Sequence, residues 1–266
     1  MDRRVPAEAF VRTTLSLGDS ALRAAYVASA LRAWPLELAA RILDAVCEAA
    51  EQAEVSSRET LIAIVDALNG DGMGSLLQRL REEATGASLL ALGRLIRLPV
   101  EPPHTTGRDP RLDRVPDLGR GREVTLGERK ALARRADRDL MQRLLADPHP
   151  DVIRRCLRNP RVTEDDIVRL AARRPCRGDV LVEIARSMWA HRPRVRLSLV
   201  MNPAMPVEMA LRIAGLLLRP ELALVARSPG VSSALRALCR EHLERRPPVE
   251  ISDDEHGAPG TAEQMH

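Results

Sequence analysis

Five prolines, Pro148, Pro175, Pro193, Pro220 and Pro247, stand 27, 18, 27 and 27 residues apart, and Pro160, Pro203 and Pro229 follow three of them by 12, 10 and 9 residues. Each precedes a short run with helical apolar spacing. Proline suits the first position of a helix, where its missing N–H would be unpaired anyway. A proline-started helix that recurs at a near-fixed period predicts a stack of helical repeats, because one such unit cannot cover its own apolar face.

The register repeats residue by residue. Asn159-Pro160 followed by Ile167, Leu170 and Ala171 matches Asn202-Pro203 followed by Ala210, Ile213 and Ala214. Val152-Ile153-Cys156-Leu157 precedes the first pair and Val195-Leu197-Leu199-Val200 the second, while Ser228-Pro229 and Arg174-Pro175 repeat the unit less fully. The residue before proline is pushed out of the helical region, and a small polar side chain there satisfies free amides of the next helix. Thr163 with Asp166 and Thr125 with Glu128 have capping-box spacing. The unit is therefore a short helix, a tight turn and a longer helix.

The pattern Asp147-Pro148, Val152, Asn159-Pro160, Leu170-Ala171 resembles the leucine-rich-repeat-variant and HEAT-like α-solenoids of bacterial proteins, over roughly residues 140–246. The resemblance implies a curved helical stack used mainly for protein binding. Some relatives carry a cysteine cluster for an iron–sulfur centre; here Cys156, Cys176 and Cys239 lie far apart with no C-x-x-C, so that feature is not implied. Other HEAT-type relatives bind DNA, which supplies the rival expectation.

The sequence predicts an all-α fold with four parts: a helical domain over 1–98, a proline-rich connector over 99–124, the repeats over 125–248 and an acidic disordered tail over 249–266. Helices are expected near 7–16, 20–33, 35–52, 57–68, 73–84 and 87–97, with Ser56 and Glu59 as a capping box and Gly70 and Gly86 as stops. In the third, Leu36, Ala39, Ala40, Leu43 and Cys47 form an apolar stripe against Glu37, Asp44, Glu48 and Glu51. The aromatics are only Phe10, Tyr26, Trp34 and Trp189, so aliphatic side chains must fill the core. Val115-Pro116-Asp117-Leu118 offers two anchors by which the connector can lie against the repeats.

The net charge of +4 is unevenly spread. It is −2 over 1–98, 0 over 99–124, +11 over 125–248 and −5 over 249–266. Of 41 basic residues only Lys130 is a lysine, a bias that suggests a GC-rich bacterial genome. Arg154 and Arg158 share one helical face and Arg169 and Arg173 another, with Arg174, Arg177, Arg194 and Arg196 following. These arginines, with Trp189, are the expected partner-binding surface, matched to a protein with an acidic face. Duplex DNA held by its backbone is the alternative, although one aromatic gives no stacking platform.

Catalytic and metal-binding patterns are missing. The six histidines are dispersed, no H-x-x-x-H pair occurs, and Asn69-Gly70-Asp71-Gly72-Met73-Gly74 lacks the Lys-Ser/Thr of a P-loop and reads as an interhelical turn. Asp165-Asp166 suits a helix N-terminus. No enzyme activity, cofactor or metal is expected. The start has no apolar signal core, and the longest greasy stretch, Ser88 to Leu98, is broken by Arg94 and Arg97. With four scattered cysteines, the chain reads as a cytoplasmic adaptor without membrane contact.

Overall fold

The computed structural model describes residues 4–99, 110–119 and 121–246, all of them helix, 3-10 turn or loop, with no strand among them. The tail assigned to 249–266, Pro247 and residues 100–109 of the connector lie outside the described residues. Six helices form the first unit: α1 (Arg4–Ser16), α2 (Ser20–Ala33), α3 (Leu36–Glu51), α4 (Val55–Asn69), α5 (Gly74–Gly86) and α6 (Leu90–Leu95). Nine follow: α7 (Leu126–Arg135), α8 (Arg138–Leu144), α9 (Pro150–Cys156), α10 (Glu164–Ala172), α11 (Gly178–Ala185), α12 (Pro193–Val200), α13 (Val207–Ala214), α14 (Arg219–Arg227) and α15 (Ser233–Arg245).

In the first unit α3 is central. Its stripe of Ala39, Ala40, Leu43 and Cys47 is buried, and it packs on α1, α4, α5 and α6. Phe10 stacks on Tyr26 with ring centroids 5.9 Å apart and meets Trp34 edge-on at 5.4 Å, so three of the four aromatics gather where α1 and α2 join. The cap expected at Ser56 does not form. Helix α4 begins at Val55, the Ser56 and Ser57 hydroxyls both donate to the Glu54 carboxylate, and Glu59 is drawn away to pair with Arg23 of α2. Two turns use left-handed residues other than glycine: Ala53 (φ 66) after α3 and Ser88 (φ 53) after α5. Each carries the paired bonds of a Schellman end, Glu54 N–H to the Ala49 carbonyl at 3.1 Å and Leu89 N–H to the Ala84 carbonyl at 2.8 Å.

In the second unit helices contact their next-but-one neighbours: α9 packs against both α7 and α11, α10 against α12, and α13 against α15. The prolines serve this arrangement in two ways. Pro193 and Pro220 sit in the first turns of α12 and α14, as expected. Pro148, Pro160 and Pro203 stand in the turns ahead of α9, α10 and α13, with Pro150 in the first turn of α9. They stand back because the Asx side chain before each proline bonds the amide two residues on, which closes a turn before the helix can start. Capping boxes at Thr125/Glu128 and Thr163/Asp166 open α7 and α10.

The two units share one continuous buried apolar cluster running from Ala7 to Cys239. Arg97 makes a bidentate pair with Glu241 (2.9 and 2.8 Å), Arg212 donates Nε to Asn69 Oδ1 at 2.7 Å, and Arg186 donates to the Asn69 carbonyl at 2.8 Å. The described part of the connector lies on the second unit: Leu118 is buried and Asp113 accepts from Arg177 at 2.6 Å, whereas Val115 is exposed. No helix among the described residues is long and apolar enough to cross a membrane.

Candidate functional site

The recurring Asn-Pro pairs are stitches between helices. Asn159 Nδ2 donates to the Ala133 carbonyl at the end of α7 (3.0 Å), and its Oδ1 accepts from Arg161 N–H (2.9 Å). Asn202 does the same one unit on, donating to the Ala171 and Arg173 carbonyls at the end of α10 (2.7 and 3.1 Å) and accepting from Ala204 N–H at 3.0 Å. A helix leaves its last carbonyls unpaired, and in each case the next unit supplies the donor. At Asp147 the same turn is kept but the partner is Arg129, which reaches both carboxylate oxygens at 2.7 and 2.6 Å.

Most of the arginines expected to face a partner are engaged within the chain. Arg154 of α9 forms a bidentate pair with Glu183 of α11 (2.6 and 2.7 Å) and also reaches Asp151. Asp151 in turn takes Lys130 of α7 at 2.5 Å, so alternating charges run across three packed helices. Arg194 of α12 pairs with Asp165 of α10 at 2.8 Å, and Arg138 pairs with Asp166. Arg177 is held by Asp179 and Asp113, which drives its pKa up. Arg173 and Arg174 donate to the Leu145 and Met201 carbonyls at 3.3 and 2.5 Å. Arg196 is buried at 7% exposure, and burial pushes its pKa down. Only Arg158 and Arg169 of the set are exposed with neither a side-chain hydrogen bond nor an ion pair among the described residues. Trp189 is half-buried, its indole N–H on the Leu157 carbonyl at 2.9 Å, and so joins two units.

The junction between the units holds a polar group that the helical pattern placed elsewhere. Glu51, expected on the solvent side of α3, is buried because Arg94 grips it with two bonds of 2.8 and 2.5 Å. His242 of α15 lies 3.6 Å from Glu51 through Nδ1, yet neither ring nitrogen has a hydrogen-bond partner among the described residues. Burial, followed by repulsion from Arg246, Arg94, Arg97 and Arg245, holds its pKa down at about 3. The ring is therefore neutral, and the Glu51 charge is spent on Arg94. Asp44 accepts from the Ala91 and Leu92 amides, both at 3.0 Å, and so caps α6 from a neighbouring helix.

All four cysteines are free and buried, and burial raises each thiol, Cys156 and Cys239 to about 12, which keeps them protonated and unreactive. Among the described residues no group of His, Cys, Asp and Glu is placed to hold a metal ion. The Asn69–Gly74 stretch is the turn between α4 and α5.

Two clefts were not foreseen. The larger, about 890 Å³, lies between α1, α3 and the start of α4. Val11, Leu15, Ala45, Val46 and Ala49 form its floor, and Glu8, Arg12, Arg41, Glu48 and Glu54 stand around it. The signal was present in α3: Ala45 and Ala49, one turn apart beside Arg41 and Glu48, leave a groove that larger side chains would fill. The second, about 720 Å³, runs along α7 and is lined by Arg122, Val124, Glu128, Ala131, Leu132, Arg134 and Arg135. No protein-family model, curated protein or solved structure matches this chain.

Proposed function

We propose that this chain is a non-enzymatic protein-binding adaptor, its residues 125–248 forming a short α-solenoid of the leucine-rich-repeat-variant and HEAT-like kind. The next-but-one helix contacts and the stitches by Asn159 and Asn202 support a rigid frame. The observation that carries the binding reading is the cleft on α3. Its volume lies in the range of a built binding site, its floor is apolar, and its rim offers both signs of charge. Such a groove suits the apolar face of an amphipathic helix from a partner protein. The expected acidic-partner groove is not favoured for this role, because most of its arginines already have partners inside the chain.

The test fills the groove. Ala49→Arg, in the full chain, should abolish retention of a stoichiometric protein from nuclease-treated native extract while leaving the circular dichroism unchanged. Unaltered retention by Ala49→Arg would refute the cleft reading. Retention that vanishes with nuclease instead favours backbone contact with DNA, and Arg158→Glu with Arg169→Glu would then remove it.

A further inference from the structure

We infer that the outer side of α7 is a second docking surface, for an acidic amphipathic helix of a partner protein. Helix α9 is flanked by α7 and α11, whereas α7 finds its main contacts in α8 and α9 alone. The next position in that row, beyond α7, is the cleft of about 720 Å³. Its apolar lining is half-buried Val124 and Leu132 with exposed Ala131. A groove that continues a row of helices lies where one more helix can pack, as α9 packs between α7 and α11.

Charge selects the sign of the occupant. Arg122 pairs with Glu128 at 2.5 Å, which cancels both, and Lys130 on the same helix is taken by Asp151. That leaves Arg134 and Arg135, exposed in the last turn of α7 and without a side-chain partner among the described residues. They differ from Arg154 and Arg194, which answer carboxylates of neighbouring helices. A carboxylate-bearing helix laid in this groove would give Arg134 and Arg135 the partners that their counterparts find within the chain. Against a second copy of the same face the two arginines would meet their like, so self-association there is disfavoured. An adaptor needs two contacts; this surface rests on that reading for its purpose but not for its geometry.

The test uses three designed amphipathic peptides of about 18 residues, five helical turns, with one Leu/Ala face and Glu, Lys or Gln elsewhere. A photo-crosslinking residue replaces Ala131 in the full chain. The Glu peptide should label position 131 and bind about tenfold more tightly than the Lys peptide, an advantage lost in Arg134→Glu/Arg135→Glu. Equal binding of the three peptides, no labelling at position 131, or displacement of the Glu peptide by duplex DNA at stoichiometric concentration would each overturn the proposal. Ala49→Arg should leave the labelling intact, so failure of the α3 cleft and failure of the α7 surface are read separately.

Discussion

His242 should make the stability of this protein fall with acid in a calculable way. The ring is 4% exposed and neutral, with a folded pKa of about 3 against an ordinary 6.5. In the unfolded chain the same ring takes a proton once the pH drops below 6.5; in the folded chain it does not until about 3. Unfolding therefore binds a proton throughout that window, and stability is full above 6.5 and declines as the pH falls through it. Between pH 7 and pH 5 the loss from this residue is about 2 kcal/mol, set almost wholly by the unfolded pKa. Continued to pH 3 the ceiling is about 5 kcal/mol, before discounting for water entering the loosened junction.

The perturbation is His242→Phe, which keeps a planar ring and removes the titration. Urea denaturation of both proteins at pH 7 and pH 5 gives the double difference, and the wild type should lose about 2 kcal/mol more than the variant. The carboxylates and the other histidines are common to both and cancel. If Glu51, at 3.6 Å, instead held the ring charged, the wild type would lose less than the variant between the two pH values. Either that sign or equal slopes would refute the argument that burial and the arginines Arg246, Arg94, Arg97 and Arg245 outweigh one carboxylate already bound by Arg94.

Asn202→Ala should cost about 1–3 kcal/mol in thermal or urea unfolding, because it strands the Ala171 and Arg173 carbonyls at the α10 end; a change below 0.5 kcal/mol would remove the stitch from the account. Gly178→Ala should also destabilise, by roughly 1–3 kcal/mol, since a Cβ there would stand 2.8 Å from the Ala204 carbonyl oxygen; an unchanged melting temperature would show that the α11 start and the Asn202 turn can part. Ala53→Gly and Ser88→Gly should each raise stability by about 0.5–1 kcal/mol by relieving φ values of 66 and 53, and a lower melting temperature for both would contradict the Schellman geometry. Arg154→Lys should cost roughly 0.5–1.5 kcal/mol while Arg158→Lys costs nothing measurable, because only Arg154 uses both prongs of its fork; equal effects would leave the arginine bias to genome composition alone.

Much of the helical plan was legible because it rests on local chemistry. The Pro193 and Pro220 helix starts, the Thr125 and Thr163 boxes and the α3 stripe each depend on residues within one or two turns, where capping and periodicity act. Ser56 failed for a non-local reason: the Glu59 that completes its box is claimed by Arg23, 36 residues away. The clefts were harder to see, since a groove is the space left between elements. The small pair Ala45 and Ala49 was its one trace in the sequence.

The arginines show the limit most clearly. A count of charge places +11 on residues 125–248 and invites a basic groove. The structure commits that charge to ion pairs between helices, Arg154 to Glu183, Arg194 to Asp165 and Arg138 to Asp166, at separations of 28 or 29 residues. Each pair joins helices two apart in chain order, so a basic residue on one and an acidic residue on the other belong to a single interaction. Net charge over the segment cannot distinguish such a ladder from a free face, whereas the residues left over after pairing can. Arg134 and Arg135 are left over on α7, whose main helix contacts among the described residues are α8 and α9. Arg158 and Arg169 are left over within the second unit and Arg134 and Arg135 beside the α7 cleft, so it is pairing, and not net charge, that marks which basic residues can answer a partner.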